Sequence, residues 1–186
     1  MDALNLLHKR VSAPVLLEPA PTKAQLEMIF RAAIRSPDHG AISPWRCLVI
    51  EGDARHKLGE LFIKAMTVKE GVLTEEKRLK LAKMPLRAPT ILVVVGSPQA
   101  HPKVPESEQL LTAGCVAHSV LLAAYAQGLG AIWRTGELAF DETVKCELGL
   151  SSDEHITGFI YLGTAMKLRD VNEEPFEHKV SYWGAE

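Results

Sequence analysis

Three pairs of side chains in this sequence have the types and spacing to do chemistry: Arg10 with Ser12, Arg35 with His39, and Arg134 with Thr135. A guanidinium presents a planar fork of donors that matches phosphate or carboxylate oxygens, and a nearby hydroxyl adds one more, so each pair can clamp an anion. Each also has a plain structural use, because a cation at a helix C-terminus complements the helix dipole and a serine or histidine suits a turn. The stretch GLGAIWRTG, residues 128 to 136, resembles the start of a dinucleotide-binding loop. That fingerprint needs a third glycine where this chain has Trp133, and an indole cannot make a glycine's close backbone approach. No GxxxxGK[ST] loop, HExxH helix or GxSxG elbow occurs, so no dedicated nucleophile, general base or metal ligand set is announced.

These residues must be positioned by the elements around them. Leu4, Leu6 and Leu7 predict a short helix ending near Lys9 and Arg10. Thr22 and Gln25 fit a capping box, and Leu26, Ile29, Phe30 and Ala33 follow at helical spacing. Pro37 and Pro44 bracket the turn-rich segment SPDHGAISPW, after which a strand is expected from Trp45 to about Glu51. Asp53 is placed to cap a helix carrying Leu58, Leu61, Phe62 and Ala65, and the charged run Glu75 to Lys83 reads as a helical flap. TILVVVG, residues 90 to 96, is apolar at consecutive positions, as expected of a central strand covered on both faces. Glu106 to Gln127 reads as the core helix, its stripe of Ala113, Gly114, Ala117, Leu121 and Ala124 allowing close approach of another helix. Strands are expected at Ala131 to Thr135 and Ile156 to Gly163, separated by a helix capped by Asp141 and ended near Gly149. The architecture predicted is α+β, a central mixed, mostly antiparallel sheet flanked by helices, in one domain over residues 1–186.

The totals bound the function. With 186 residues, 47% apolar and 24% charged, the chain has an ordinary globular balance. A net charge of −2 gives no global attraction for nucleic acid or an anionic membrane. Cys47, Cys115 and Cys146 are odd in number and far apart, which indicates neither a disulfide framework nor a thiolate zinc site and fits a reducing cytoplasm. The N-terminus lacks a signal-peptide layout, and the apolar run Ala113 to Ala126 falls short of the roughly 20 residues that span a bilayer.

Five blocks in order, RVSAPVL, RAAIRSPDHGAISPWRCLVIEG, RAPTILVVV, TAGCVAHSVLLAAYAQGLGAIWRTG and ITGFIYLGT, resemble the nitroreductase family, specifically its short, compact FMN-dependent branch. The resemblance runs over nearly the whole chain and implies the nitroreductase-like homodimeric fold. It implies that Arg10, Val11 and Ser12 contact FMN near its phosphate, that Arg35 and His39 reach the same FMN from the other subunit, and that Trp133, Arg134 and Thr135 line the flavin ring. It also implies that Ala123, Ala124, Tyr125, Ala126, Gln127 and Gly128 touch the NAD(P)H co-substrate. Relatives often carry an asparagine and a glutamine where this chain has Ala41 and Ser43, and a second basic residue where it has Val11.

The function so implied is transfer of reducing equivalents from NAD(P)H, through FMN, to a nitroaromatic, quinone or similar small electrophile in ping-pong fashion, with no nucleic-acid or membrane partner. The cofactor would supply the redox chemistry and the protein its orientation and electrostatics, which agrees with the absence of a catalytic motif. Other flavin reactions on the same fold, such as dehalogenation or oxygen-dependent chemistry, and flavin storage with little turnover are the competing readings.

Overall fold

In the computed structural model, which describes residues 2–172 and 174–184, the elements run α1 (Ala3–Lys9), β1 (Leu16–Leu17), α2 (Lys23–Ala33), β2 (Trp45–Glu51), α3 (Ala54–Glu70), α4 (Glu75–Lys83), β3 (Thr90–Gly96), α5 (Glu106–Ala126), β4 (Gly130–Arg134), α6 (Glu142–Glu147) and β5 (His155–Ala165). The strands form one five-stranded sheet in the order β1-β5-β3-β2, with β4 also paired to β5. Every pairing among the described residues is antiparallel, so the parallel component expected of a mixed sheet is not present within them. The antiparallel sheet with flanking helices makes this an α+β fold.

β3 lies between β2 and β5 with all seven residues buried, and strand alternation divides its side chains between two cores. Ile91, Val93 and Val95 pack with Leu58, Phe62 and Met66 of α3, Leu81 of α4 and Val144 of α6. Leu92 and Val94 pack on the other face with Ile29 and Ala33 of α2 and Val116, Ala117 and Val120 of α5. On the first face Phe62 meets Phe159 edge to face, ring centroids 5.6 Å apart, a geometry worth about 0.5–1.5 kcal/mol beyond area burial. α5 has the length and composition to cross a membrane, yet Ala113, Val116, Ala117, Val120 and Ala124 are sealed in this core.

Local signals in the sequence fix most of the element ends. The capping box at the start of α2 is made, Gln25 N–H donating to Thr22 Oγ1 at 3.2 Å and Thr22 N–H to Gln25 Oε1 at 2.9 Å. Asp141 caps α6 through Val144 N–H at 3.1 Å. Asp53 does not cap α3: its backbone is already helical and its side chain makes no cap hydrogen bond. α5 ends one residue early, at Ala126, and β4 stops at Arg134, leaving Thr135 outside the sheet.

One ion pair ties β2 to the segments flanking β3 and β5. Arg46 Nε and Nη2 donate to the two Glu154 oxygens at 2.6 and 2.8 Å, Ser97 Oγ donates at 2.5 Å and Ser151 N–H at 3.0 Å. The Arg46 hydrogen bond outweighs burial and holds the Glu154 carboxyl down at about 2, from an ordinary 4.5. A carboxyl depressed in the folded state stabilises the fold above its unfolded pKa, and that contribution is lost as pH falls through the folded one. Glu154→Gln is therefore expected to cost on the order of 2–3 kcal/mol at neutral pH. The gap from wild type should close between about pH 4.5 and 2, as read from urea midpoints. A gap of constant size across that window would mean that the carboxylate charge is not what stabilises this corner.

Candidate functional site

Trp133 and Arg134 are neighbours on β4, so strand alternation sends them to opposite faces. Trp133 turns toward the α2–α5 side, where its Nε1–H donates to the Thr157 carbonyl at 3.2 Å. The indole lies over Gly158, and a Cβ there would sit 2.0 Å from Nε1, so only glycine leaves it room. Arg134 turns to the other face, its guanidinium carbon 5.7 Å from the centroid of the Tyr161 ring. Burial pushes the Tyr161 phenol up, and the charges of Arg134 and Arg87 oppose that rise. Arg134 Nε is buried without a hydrogen-bond partner, a state that costs about 1–3 kcal/mol unless an acceptor arrives.

Beyond Arg134 the chain leaves the sheet at Thr135 and turns at Gly136, whose φ of +82° is glycine's own region. Residues Thr135 to Leu138 face α4 across a cleft of about 510 Å³, within the usual range for a small-molecule site. Lys80, Leu81 and Met84 form part of the α4 wall. Two of the nearby lysines are already neutralised, Lys77 by Glu70 at 2.6 Å and Lys69 by Glu137 at 2.8 Å. Lys80 has no such pair among the described residues. The charged run marks α4 as a helical flap but not as a wall of the cleft; the signal for that is buried Leu81 among Lys77, Lys80 and Lys83.

The N-terminal segment meets the start of β4. Arg10 closes α1, its N–H bonded to the Leu6 carbonyl at 3.1 Å. Ala13 N–H then donates to the Ala131 carbonyl at 2.9 Å, and Leu16 packs against Gly130. Residues 13 to 16 therefore run beside the start of β4, at Gly130 and Ala131. Arg10 and Val11 are half-buried and Ser12 is exposed.

Arg35 and His39 lie elsewhere. α2 and α5 run antiparallel: Gln127 Nε2 donates to the Gln25 carbonyl at 3.2 Å, Ser36 Oγ meets Ser119 Oγ at 2.8 Å, and His39 Nδ1 meets Glu108 Oε2 at 2.5 Å. Glu108 and Gln127 are 19 residues apart in sequence, or about 28 Å along a helix. Arg35 and His39 are exposed on a segment whose backbone is strained at two non-glycine residues, Ala41 and Ser43, at φ of 52° and 54°. Such φ values disfavour alanine and serine and favour asparagine or glycine. The strained turn is tied by Ser43 N–H donating to Asp38 Oδ2 at 2.7 Å, while Asp38 Oδ1 is buried without a partner.

The end of α5 is divided. Ala123, Ala126 and Gln127 line an apolar groove with Leu6, Met28 and Leu122, whereas Ala124 is sealed in the core and its side chain can touch no ligand. Tyr125 is half-buried, and Gly128 turns the chain into β4 with its N–H on the Tyr125 carbonyl at 2.9 Å. Among the described residues no group of His, Cys, Asp or Glu is placed to hold a metal ion.

Comparison with known proteins follows the same outline. The model of the nitroreductase family matches residues 14–164. A relative from Escherichia coli K12, named "Putative NAD(P)H nitroreductase YdjA", is 42% identical over 165 residues, 88% of each chain. A nitroreductase-like family protein of known structure from Bacillus cereus superposes with a TM-score of 0.84 at 23% identity, over 100% of this chain and 97% of that one. The FMN and NADPH-dependent nitroreductase NfnB from sphigopyxis sp. strain HMH superposes with a TM-score of 0.77 at 18% identity, over the whole of both chains.

Proposed function

The chain belongs to the nitroreductase family, an oxidoreductase family, and on that premise we propose that residues 1–186 act as one FMN-binding domain that passes reducing equivalents from NAD(P)H to a nitroaromatic, quinone or related electrophile. The observation that carries this reading is the buried, partnerless Nε of Arg134 beside the cleft at the end of β4. It is a donor held where an oxygen-rich, electron-accepting group would satisfy it.

The residues fit a flavin mononucleotide. Arg10 and Ser12 supply a charge-assisted clamp for its phosphate, and the Thr135–Gly136 turn offers close backbone approach to its ring. Bound FMN supplies the two-electron chemistry, which no side chain of this protein could provide. Arg134 places a positive charge near the region that gains electrons, with its Nε shielded from solvent. The α4 wall narrows access to the cleft and limits acceptors to those that fit between it and the turn.

We place the functional unit at two chains. His39 lies against the first turn of α5 and Arg35 beside the middle of that helix, and the family resemblance implies that both serve the flavin of the other chain. Exposed Met28 lines the groove between α1, α2 and α5, Leu4, Leu7 and Leu111 are exposed on α1 and α5, and Phe176, Tyr182 and Trp183 stand out in solvent, as surfaces awaiting a second copy do. The three free cysteines accord with a reducing compartment, the cytoplasm.

The absorbance spectrum of the purified protein tests the premise. Flavin bands should be present, FMN should be released on denaturation, anaerobic NADH or NADPH should bleach the bands, and a quinone or nitroaromatic should restore them. Parallel double-reciprocal plots would then establish ping-pong order. Protein that takes up no FMN at tens of micromolar would sink the proposal.

A further inference from the structure

We infer that Glu108 is a positioning residue for the flavin site, fixing the His39 ring so that its Nε2 is the atom offered to the cofactor held by the partner subunit. The inference rests on the reading above that His39 reaches FMN across a twofold interface.

A histidine at an exposed turn can swing about two side-chain bonds and interchange the roles of its ring nitrogens. His39 is not free in this way, because Glu108 Oε2 lies 2.5 Å from its Nδ1. An ionised carboxylate only accepts, so Nδ1 must carry the proton and Nε2 is left as the outward atom. A second-sphere carboxylate that sets a histidine's tautomer and orientation is a recurrent device in ligand sites.

Glu108 stands on a firm base. Its neighbour Gln109 is buried and makes three hydrogen bonds: its Nε2 donates to the Gln99 and Val104 carbonyls at 2.8 and 3.1 Å, and its Oε1 accepts from Gln99 N–H at 2.8 Å. The first turn of α5, where backbone N–H groups favour a negative charge, is thus anchored to the loop before it. The turn that carries His39 is the opposite case, strained at Ala41 and Ser43. It is held by Asp38 Oδ2 on Ser43 N–H and by a 3.4 Å contact from Gln99 Nε2 to the Ile42 carbonyl. A ring on such a turn takes its direction from the rigid partner. Glu106, in the same helical turn, is engaged separately with His155 at 3.3 Å, so it does not compete for His39.

The test measures FMN dissociation by fluorescence for wild type, His39→Ala, Glu108→Ala, Glu108→Gln and the double variant Glu108→Ala/His39→Ala. Loss of one hydrogen bond to the cofactor predicts that His39→Ala weakens FMN by about tenfold. Glu108→Ala is expected to approach that loss. Glu108→Gln should stay within about twofold of wild type, since an amide oxygen accepts from the same Nδ1–H. The double variant should bind no worse than His39→Ala. Nitrogen-15 NMR of the imidazoles in the flavin-free protein should show His39 protonated at Nδ1, and Glu108→Ala should abolish that signature. Additive losses in the double variant, or a glutamine as harmful as alanine, would overturn the positioning role. If His39→Ala alone leaves FMN affinity unchanged while the NMR signature behaves as expected, the error lies in placing His39 at the flavin, and the inference falls with it.

Discussion

Gly158→Ala is expected to destabilise the protein by about 2–4 kcal/mol, overpacking plus one lost hydrogen bond. At this chain length that corresponds to a melting temperature lower by roughly 4–16 °C. The new methyl would fall 2.0 Å from Trp133 Nε1 and 2.5 Å from Cδ1, so the indole must leave its place on β5 and give up the Thr157 carbonyl. Trp133 flanks Arg134, and with the strand disturbed FMN affinity should fall as well. The double-mutant cycle supplies the test. On a Trp133→Ala background the same Gly158→Ala change has no indole to displace, and its cost should shrink to a fraction of the original. An equal cost on both backgrounds would mean that residue 158 matters for its backbone and that the indole's seat is not the constraint.

The sequence shows Gly158 as one glycine in ITGFIYLG and gives no sign that an indole from another strand rests on it. That is the general division in this protein. Signals contained within a few residues are legible: the Thr22–Gln25 box, the Asp141 cap, the flap at Glu75–Lys83 and the uninterrupted apolar run of β3 each lead directly to the element observed. Asp53 misleads because a capping residue needs an extended backbone, and the turn through Gly52 delivers it already helical. β1 is invisible, since two leucines pair with Thr164 and Ala165 only after β5 is in place. The candidate site follows the same rule. Arg10, Ser12, Arg134 and Thr135 can be picked out by residue type. What the sequence conceals is orientation. Adjacent Trp133 and Arg134 serve opposite faces of the sheet, α4 supplies a wall from a distant segment, and Glu108 meets His39 across 69 positions. Each of these depends on how helices seat on the sheet, which no local pattern encodes.

Arg10→Ala is expected to weaken FMN binding ten- to a hundredfold, the loss of one charge-assisted contact of about 1.5–3 kcal/mol to its phosphate. The further consequence is that a chain carrying this change should be partly rescued by a chain carrying His39→Ala. If each flavin is held by Arg10 of one chain and His39 of the other, the mixed dimer has one site with both residues damaged and one with both intact. Random exchange makes about half of the dimers mixed, so about a quarter of all sites should recover native affinity. If Arg10 and His39 instead served the same site within one chain, every site in the mixture would carry one damaged residue and no recovery could occur. The resemblance to nitroreductases implies the first arrangement, with His39, which is fixed to the first turn of α5, and Arg10, which closes α1, serving different sites of one chain. The readout is the amplitude of the tight phase in an FMN titration of the mixed protein, after unfolding and refolding the two variants together. Sedimentation at low micromolar concentration should give twice the 20.4 kDa chain mass. A monomer that keeps full FMN affinity, or a refolded mixture with no tight phase, would show that the site is built within a single chain.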